Sequence, residues 1–332
     1  MRMTQPFLKL PIRFDAEALA AEVRALPQSA WSPHPTGFVG NEAVRLISPG
    51  GQPTDLFEGP MGPTANLHGC PYISEIMSEL GAVWGRSRLM GLAAGGEVPL
   101  HVDTHYYWRT HLRIHIPVIT NPGVFFTCGE ETVHMAAGEC WLFDSFQWHR
   151  VENKGDAQRI HLVIDTVGGG KLPELIAAAE AGNTEPRKFG PGDGGGEPLR
   201  FEQVNAPRVM SPWEMRCHLS FLVEQTVPDA KLPKIVDCVE RFIDGWAAIW
   251  AQFGTEDAGL PAYARLVAEV RQDLSRLGGD QIALTNRWPL YHMLDQMIFL
   301  MALPRRSAQP PQAGSLASAQ HAAAQAASTA TG

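Results

Sequence analysis

The feature that most constrains the fold of this chain is a run of short, alternating segments between residues 98 and 166. The segment L-R-I-H-I-P-V-I alternates apolar side chains with Arg113 and His115, which is the period of a β-strand. Turn residues, among them Gly129, Gly138 and N-K-G-D, divide it from C-W-L-F-D and R-I-H-L-V-I-D. Many short strands with frequent turns favour a jelly roll or small barrel over a parallel α/β sheet.

Three side chains in this stretch have the composition of a metal site. His101 and Asp103 form an H-x-D pair, and His149 follows on a later predicted strand. A strand places His101 and Asp103 on the same face because its side chains alternate with a period of two. Two imidazoles and one carboxylate are the ligand set that leaves coordination positions open on a non-haem Fe(II) ion. We interpret the stretch as the active site of an iron oxygenase, with ordinary polar strand residues as the alternative.

A basic residue lies beyond His149 on the last clear strand. Alternation in Q-R-I-H-L-V-I-D puts Arg159 and His161 on one face. A guanidinium that faces a barrel interior is costly without an anionic partner. A dicarboxylate cosubstrate would supply that partner, with the bidentate geometry that arginine favours. Arg113 and His115 repeat the Arg-x-His pattern, and the alternative for both strands is a polar face in solvent.

Taken together, H-V-D, H-L-R-I-H-I-P, G-E-C-W-L-F-D-S-F-Q-W-H-R-V and R-I-H-L-V-I-D resemble the aspartyl/asparaginyl β-hydroxylase family. These Fe(II)/2-oxoglutarate-dependent dioxygenases include bacterial free-proline hydroxylases, and the resemblance covers about residues 85–167. It implies a mainly β protein with helical additions, built on a double-stranded β-helix (a cupin-like jelly roll). It also implies hydroxylation coupled to decarboxylation of 2-oxoglutarate, with Fe(II), 2-oxoglutarate as cosubstrate, and O2.

The resemblance implies roles for individual residues in this stretch. His101 and His149 would be iron ligands. Arg159 would pair with the distal carboxylate of 2-oxoglutarate, and Arg113 and His115 would help to bind it.

Two positions distinguish this chain from the animal members of the family. Asp103 stands where the animal enzymes have glycine, so the site is similar to the complete triad of the proline hydroxylases. Met90 lies near the place of a serine that assists cosubstrate binding in the animal enzymes. Four residues that follow the ligand pair are candidates for a substrate-side wall, with packing as the alternative: Tyr106, Tyr107, Trp108 and Arg109.

Composition argues against nucleic-acid and membrane partners. The 332 residues include 27 Lys and Arg against 35 Asp and Glu, a formal net charge of −8, without a basic cluster. No apolar run reaches the length of a membrane span, and the first residues lack the apolar region of a signal peptide. The five cysteines show no C-x-x-C pattern, which suggests reduced thiols. We therefore expect a cytoplasmic protein.

Glycine-rich breaks and helical periodicity divide the chain into four predicted parts. A Gly-rich linker separates the dioxygenase domain from a helical region, and the tail rich in Ala, Ser, Gln and Pro is expected to be disordered. The helical region has large apolar faces, so a homodimer through these helices is possible. The predicted parts are 1–168 (double-stranded β-helix with N-terminal helices), 169–200 (linker), 201–305 (helical region) and 306–332 (tail).

Three functions remain open on the sequence alone. The motifs favour an Fe(II)/2-oxoglutarate-dependent dioxygenase that hydroxylates an amino-acid side chain. Its substrate would be a free amino acid such as proline, or an Asp, Asn or Pro residue in a peptide. The alternatives are a non-catalytic cupin-like ligand-binding or regulatory protein, and a metal-dependent cupin enzyme that does not use 2-oxoglutarate.

Overall fold

The computed structural model describes residue 3 and residues 5–35, 37–183 and 185–304. The predicted tail, 306–332, lies outside the described residues. The described chain divides into a sheet unit and a helical unit. The sheet unit contains the chain up to Asp103 and the segment Thr110–Asn205, and the helical unit contains Thr104–Arg109 and the described chain from Ala206 onward.

The sheet unit is built from short strands, as the alternation predicts. Its strands are β1 (Phe7–Phe14), β2 (Ser32–Pro33), β3 (Asn41–Pro49), β4 (Met61–Pro63), β5 (Val83–Leu92), β6 (Glu97–His101), β7 (Leu112–Ile119), β8 (Val124–Cys128), β9 (Glu131–Val133), β10 (Glu139–Phe143), β11 (His149–Asn153), β12 (Arg159–Gly168), β13 (Arg187–Phe189) and β14 (Arg200–Phe201). The α-helices of the whole described chain are α1 (Ala16–Arg24), α2 (Ala65–His68), α3 (Pro71–Leu80), α4 (Tyr106–Thr110), α5 (Leu172–Glu180), α6 (Pro212–Glu224), α7 (Leu232–Phe253), α8 (Leu260–Arg276) and α9 (Leu290–Leu294), which a π-helical turn extends over Asp295–Phe299.

Two mainly antiparallel sheets form the core of the sheet unit. The large sheet has the order β13-β1-β10-β7-β12-β5-β3-β2, with β14 added to β5 and β4 added to β3. The small sheet has the order β6-β11-β8-β9. Phe7, Leu92 and Phe143 of the large sheet pack with Phe126 and Val151 of the small sheet in one buried cluster. This is the predicted double-stranded β-helix with helical additions, which is confirmed.

The N-terminal elements form as their sequences predict. Strand β1 adds to the large sheet, where Leu8 lies opposite Leu142. Asp15 then caps α1, because its carboxylate accepts hydrogen bonds from the backbone N–H groups of Glu17 and Ala18, both at 3.0 Å. The cap turns the chain from the sheet onto a helix whose buried residues include Leu19.

Two segments are more ordered than their composition suggests. Residues 31–69 are rich in Pro and Gly, yet they contain β3, which pairs along much of its length with β5. Residues 169–200, expected to be a linker, contain α5, β13 and β14, and the two strands add to β1 and β5. The sheet unit therefore continues past residue 168 as far as Asn205, because short backbone pairings recruit this segment to the sheet.

The helical unit is organised around α7. Its apolar face is buried, and the indole of Trp246 donates a hydrogen bond to the carbonyl of Met210 at 2.8 Å. Ser211 accepts a hydrogen bond from the backbone N–H of Glu214 at 3.1 Å and so caps α6, as the S-P-W-E motif predicts. Helix α9 begins at Leu290, because Pro289 disfavours helical geometry at the residue before it.

Within the described residues, no helix combines the length and the apolar character needed to cross a lipid bilayer.

The turn before β10 provides a test of the observed packing. Gly138 has φ +79°, and a Cβ there would collide with the carbonyl oxygen of Phe14. Gly95 has φ +68° with nothing within 4 Å of an added Cβ. We expect Gly95→Ala to lower the free energy of unfolding by about 1–2 kcal/mol, the cost of the left-handed conformation alone. Gly138→Ala should cost clearly more. Urea denaturation measures both, and equal losses would contradict the close approach.

Candidate metal centre

Pairing between two strands of the small sheet brings the two predicted histidine ligands together. His149 on β11 lies directly opposite His101 on β6, and their ring centroids are 4.1 Å apart. Asp103 follows β6 by two residues, and one potential ligand atom from each of the three residues lies within 4.8 Å of the others. The structure thus brings His101, Asp103 and His149 together, as the H-x-D…H pattern predicts.

Hydrogen bonds to backbone carbonyls orient both imidazoles. Nδ1 of His101 lies 2.8 Å from the carbonyl oxygen of Pro99, and Nδ1 of His149 lies 2.9 Å from that of Gln147. A carbonyl only accepts, so Nδ1 carries a proton in each ring and Nε2 is the nitrogen available to a metal. Burial, followed by the nearby His101, holds the pKa of His149 well below its usual value. The buried ring is therefore neutral, the state that binds a metal.

Asp103 is held by hydrogen bonds at both its backbone and its carboxylate. Its backbone N–H donates to the carbonyl of Ser145 at 3.0 Å, which fixes the start of the loop after β6. Its Oδ2 accepts a hydrogen bond from Nη1 of Arg113 at 3.2 Å. Nε of the same guanidinium donates to Oδ1 of Asp165 at 3.1 Å. Arg113 is thus a positioning residue for the carboxylate of the triad.

Arg159 lies at the start of β12, the strand that also carries Asp165, and its guanidinium has different partners from that of Arg113. Its side chain is only 3% exposed, and burial lowers its pKa to about 9. Nη2 lies 2.8 Å from Nδ1 of His161, whereas Nε has no hydrogen-bond partner. Among the described residues, no carboxylate forms an ion pair with this guanidinium. A buried cation paired only with an imidazole is the arrangement that an anionic ligand completes.

Two further imidazoles lie between Arg159 and the triad. His115 and His161 are 7% and 1% exposed, with their Nδ1 atoms 3.4 Å apart. Nε2 of each is buried without a hydrogen-bond partner. Burial, and then the charge of Arg159, lowers both pKa values well below the usual range. Met90 lies opposite His161 across β5 and β12.

The three predicted cosubstrate residues therefore divide into two groups. Arg159 and His115 share the buried inner face with His161. Arg113 also lies on this face, but its guanidinium bonds to the carboxylates of Asp103 and Asp165. Sequence alternation predicted that His161 shares a face with Arg159, but it did not distinguish His161 from the other histidines as a site residue.

The four residues predicted to form a wall beside the substrate are engaged mainly in packing contacts within the helical unit. The hydroxyl of Tyr106 donates to the carboxylate of Glu214, and its ring contacts His218 with centroids 5.4 Å apart. The guanidinium of Arg109 stacks 4.2 Å from the ring centre of Phe221. Tyr107 and Trp108 contact each other edge to face at 4.8 Å. Their role in substrate binding stays a prediction.

The donor set fits a divalent ion of the iron class. Two imidazoles and one carboxylate lie close enough together to share one ion, and this ligand set leaves positions open for other ligands. The fold and the site together define a double-stranded β-helix protein in which His101, Asp103 and His149 could hold a metal ion.

Comparison with known proteins agrees with this class. Residues 54–168 match the model of the aspartyl/asparaginyl beta-hydroxylase family, which confirms the resemblance inferred from the motifs. No curated protein matches the chain.

Solved structures show partial similarity. A 2OG-Fe(II) oxygenase family oxidoreductase from Burkholderia pseudomallei is 13% identical, with 47% of this chain and 92% of that chain covered and a TM-score of 0.31. A Pseudomonas putida prolyl-4-hydroxylase is 12% identical, with 50% and 95% covered and a TM-score of 0.33. A predicted oxalate decarboxylase from Thermotoga maritima is 17% identical, with 43% and 97% covered and a TM-score of 0.26.

Metal binding tests the triad directly. Anaerobic titration of the metal-free protein with Fe(II) should give one tight site per chain. Loss of a residue that only hydrogen-bonds to a metal ligand lowers metal affinity roughly 10–100-fold. Asp103→Ala would remove a predicted ligand itself, so it should lower the affinity more. Asp156→Ala, which removes an exposed carboxylate from a turn, is the control. Equal affinity in the two variants would exclude Asp103 as a ligand.

Proposed function

We propose that this protein is an Fe(II)/2-oxoglutarate-dependent dioxygenase that hydroxylates an amino-acid side chain, in a free amino acid or in a peptide. One oxygen atom of O2 enters the substrate, so that a C–H bond becomes C–OH. 2-Oxoglutarate loses CO2 and takes up the other oxygen atom to give succinate. Bound Fe(II) would supply the redox chemistry of this coupled reaction. His101, Asp103 and His149 would hold the ion.

The observation that carries the proposal is the buried guanidinium of Arg159. It lies on the inner face of the large sheet, which it shares with His161 and His115. The His149 ring packs on Phe143 at 4.9 Å, and Phe143 packs on His115 at 5.2 Å. A keto acid with a second carboxylate suits this arrangement, because one end can reach the metal while the other pairs with Arg159.

The neutral imidazoles have a consistent role in this arrangement. With the pKa values of His115 and His161 held low, neither ring adds positive charge beside Arg159. Nδ1 of neutral His161 accepts from the guanidinium of Arg159, so its buried Nε2 carries the proton and can donate a hydrogen bond, and the buried Nε2 of His115 is likewise available to a ligand. They would therefore orient the bound keto acid and exclude water around it, leaving Arg159 to supply the charge.

Replacing Arg159 tests the proposal. Truncating one partner of a buried charge pair costs about 2–5 kcal/mol, so Arg159→Met should weaken 2-oxoglutarate binding by about 30-fold or more. Calorimetry with the Ni(II)-loaded protein measures the affinity, and succinate formation with Fe(II) and ascorbate measures turnover. Arg13→Met, which removes an exposed β1 guanidinium, is the control.

The outcomes separate the three candidate functions. Loss of 2-oxoglutarate binding and of succinate formation in Arg159→Met alone supports the dioxygenase. Tight binding of 2-oxoglutarate to the parent protein without succinate, across free amino acids and peptides, would favour a ligand-binding or regulatory protein. Activity that persists in Arg159→Met would favour a metal-dependent cupin enzyme that does not use 2-oxoglutarate. A protein that binds no 2-oxoglutarate contradicts the proposal.

A further inference from the structure

The residues that directly follow the metal ligand Asp103 belong to the helical unit. The sheet unit includes the chain as far as Asp103, whereas Thr104–Arg109 is part of the helical unit and the chain re-enters the sheet unit at Thr110. Helix α4 occupies most of this segment and has only five residues. Isolated helices shorter than about 12–15 residues are marginal in water, so α4 depends on contacts with other elements.

One face of α4 contacts one face of α6. Tyr106 and Arg109 are three residues apart on α4, so they lie on the same face. Their partners on α6 are Glu214, His218 and Phe221, whose spacing of four and then three residues also places them on one face. These contacts are all made within the helical unit. Helix α4 is therefore held on α6.

A hydrogen bond to a charged acceptor joins the two helices. The hydroxyl of Tyr106, a residue that is 5% exposed, donates to the carboxylate of Glu214. Burial raises the pKa of Glu214, but its contacts with His218 and Tyr106 outweigh burial and hold the pKa below its usual value. The acceptor is therefore an ionised carboxylate at neutral pH. A bond of this kind is stronger than one between neutral groups, and a buried hydroxyl left without it is costly.

A buried imidazole limits the stability of the same contact. His218 is 4% exposed, and neither of its ring nitrogens has a hydrogen-bond partner. Nε2 lies 3.7 Å from Oε1 of Glu214, and the ring packs edge to face on Tyr106. Burying a polar ring without hydrogen bonds is unfavourable. The contact between α4 and α6 therefore stays closed only while the Tyr106–Glu214 bond and the packing outweigh this cost, so loss of that one bond should open it.

The position of Asp103 depends on the segment that follows it. Two hydrogen bonds act on the residue itself, from its backbone N–H to the carbonyl of Ser145 and from Arg113 to its carboxylate. Neither holds the chain beyond Asp103. When that chain moves, the carboxylate can leave the place where it lies beside His101 and His149. The affinity for an ion then falls in proportion to the fraction of molecules in which the three ligands are assembled.

We propose that Tyr106 and Glu214 are positioning residues of the metal centre, through which the helical unit keeps Asp103 in place for the ion. The inference rests on the metal site of the proposed function and extends that site to the helical region. The family match ends at residue 168, so Glu214 lies outside the matched segment. By linkage, an ion at the triad stabilises the α4–α6 contact by the same factor by which the contact raises the affinity for the ion.

Variants of the full chain test the hydrogen bond. Tyr106→Phe removes the hydroxyl and keeps the ring, and we expect it to lower the affinity for Ni(II) about fivefold or more, the lower limit of typical coupling between sites. Glu214→Ala should have a similar effect, whereas Glu214→Gln keeps an uncharged acceptor and should recover part of the affinity. The double variant Tyr106→Phe/Glu214→Ala should lose no more than the larger single loss, because both changes remove the same bond. Calorimetric titration of the metal-free proteins measures each affinity.

Two matched variants control for stability and charge. Tyr263→Phe removes another tyrosine hydroxyl of the helical unit, which donates to the carbonyl of Gly254 at 2.9 Å. Glu269→Ala removes an exposed carboxylate from α8. Both should bind Ni(II) as the parent does, although Tyr263→Phe lowers the free energy of unfolding. An equal loss of affinity in Tyr263→Phe and Tyr106→Phe would show a general effect of destabilisation and would overturn the proposal.

Hydrogen exchange tests the reciprocal effect on the unmodified protein, even if a variant does not fold. Ni(II) should slow the exchange of backbone amides in α6 about fivefold or more relative to those of α8. In folded Tyr106→Phe this difference between the two helices should disappear. If Ni(II) binds and slows exchange equally in α6 and α8, the helical unit does not hold the ligand and the proposal is wrong.

The results separate this inference from the proposed function. A parent protein that binds no Ni(II) would exclude both the metal triad and the positioning role. A parent protein that binds Ni(II), with an unchanged affinity in folded Tyr106→Phe, would exclude the positioning role alone. The triad and the proposed use of 2-oxoglutarate would then stand on their own tests.

Discussion

The site depends on the antiparallel pairing of β6 with β11. This pairing sets His101 opposite His149, and the ring distance follows from the spacing between neighbouring strands. Carbonyls of the same backbone segments accept from both Nδ1 atoms, so each ring turns its other nitrogen in a defined direction. Asp103 joins them two residues after β6, once the loop is fixed by the hydrogen bond to Ser145. Two of the three ligands are thus placed by sheet register and the third by a short loop.

The large sheet adds charged side chains that differ in sign between the two ends of its inward face. Along β12, the inward positions are Arg159, His161, Val163 and Asp165 in sequence order. A cation with no described carboxylate partner lies at one end, and a carboxylate that binds Arg113 lies at the other. Because these positions alternate with core residues such as Leu162, which is fully buried, the strand can carry charge on one face and packing on the other.

Alternation allowed much of this arrangement to be predicted from the sequence. The H-x-D pair and the later His149 were predicted from residue type and spacing, and the inward face of β12 from its period of two. The expected strand position of Asp103 was wrong, because β6 ends at His101 and Asp103 lies in the loop that follows. Two buried arginines that lie opposite each other, Arg45 on β3 and Arg88 on β5, were missed because they come from separate segments. Arg45 lies on β3, a strand that is hard to recognise in a segment rich in Pro and Gly. Asp55 lies in the loop that follows β3. Only strand order places Arg45 against Arg88.

The division of Arg113 from Arg159 could not be predicted for a related reason. Both occur in an Arg-x-His pattern, and alternation treats them alike. Register separates them, since Arg113 lies opposite Asp165, whereas Arg159 lies opposite Leu92 on one side. Arg113, with two carboxylates, forms an internal ion-pair network that can hold the Asp103 carboxylate in place. The buried guanidinium of Arg159 lies opposite leucine and has no carboxylate partner among the described residues, so the neighbour across the strand decides whether the same motif is paired within the chain or stays available for the proposed cosubstrate.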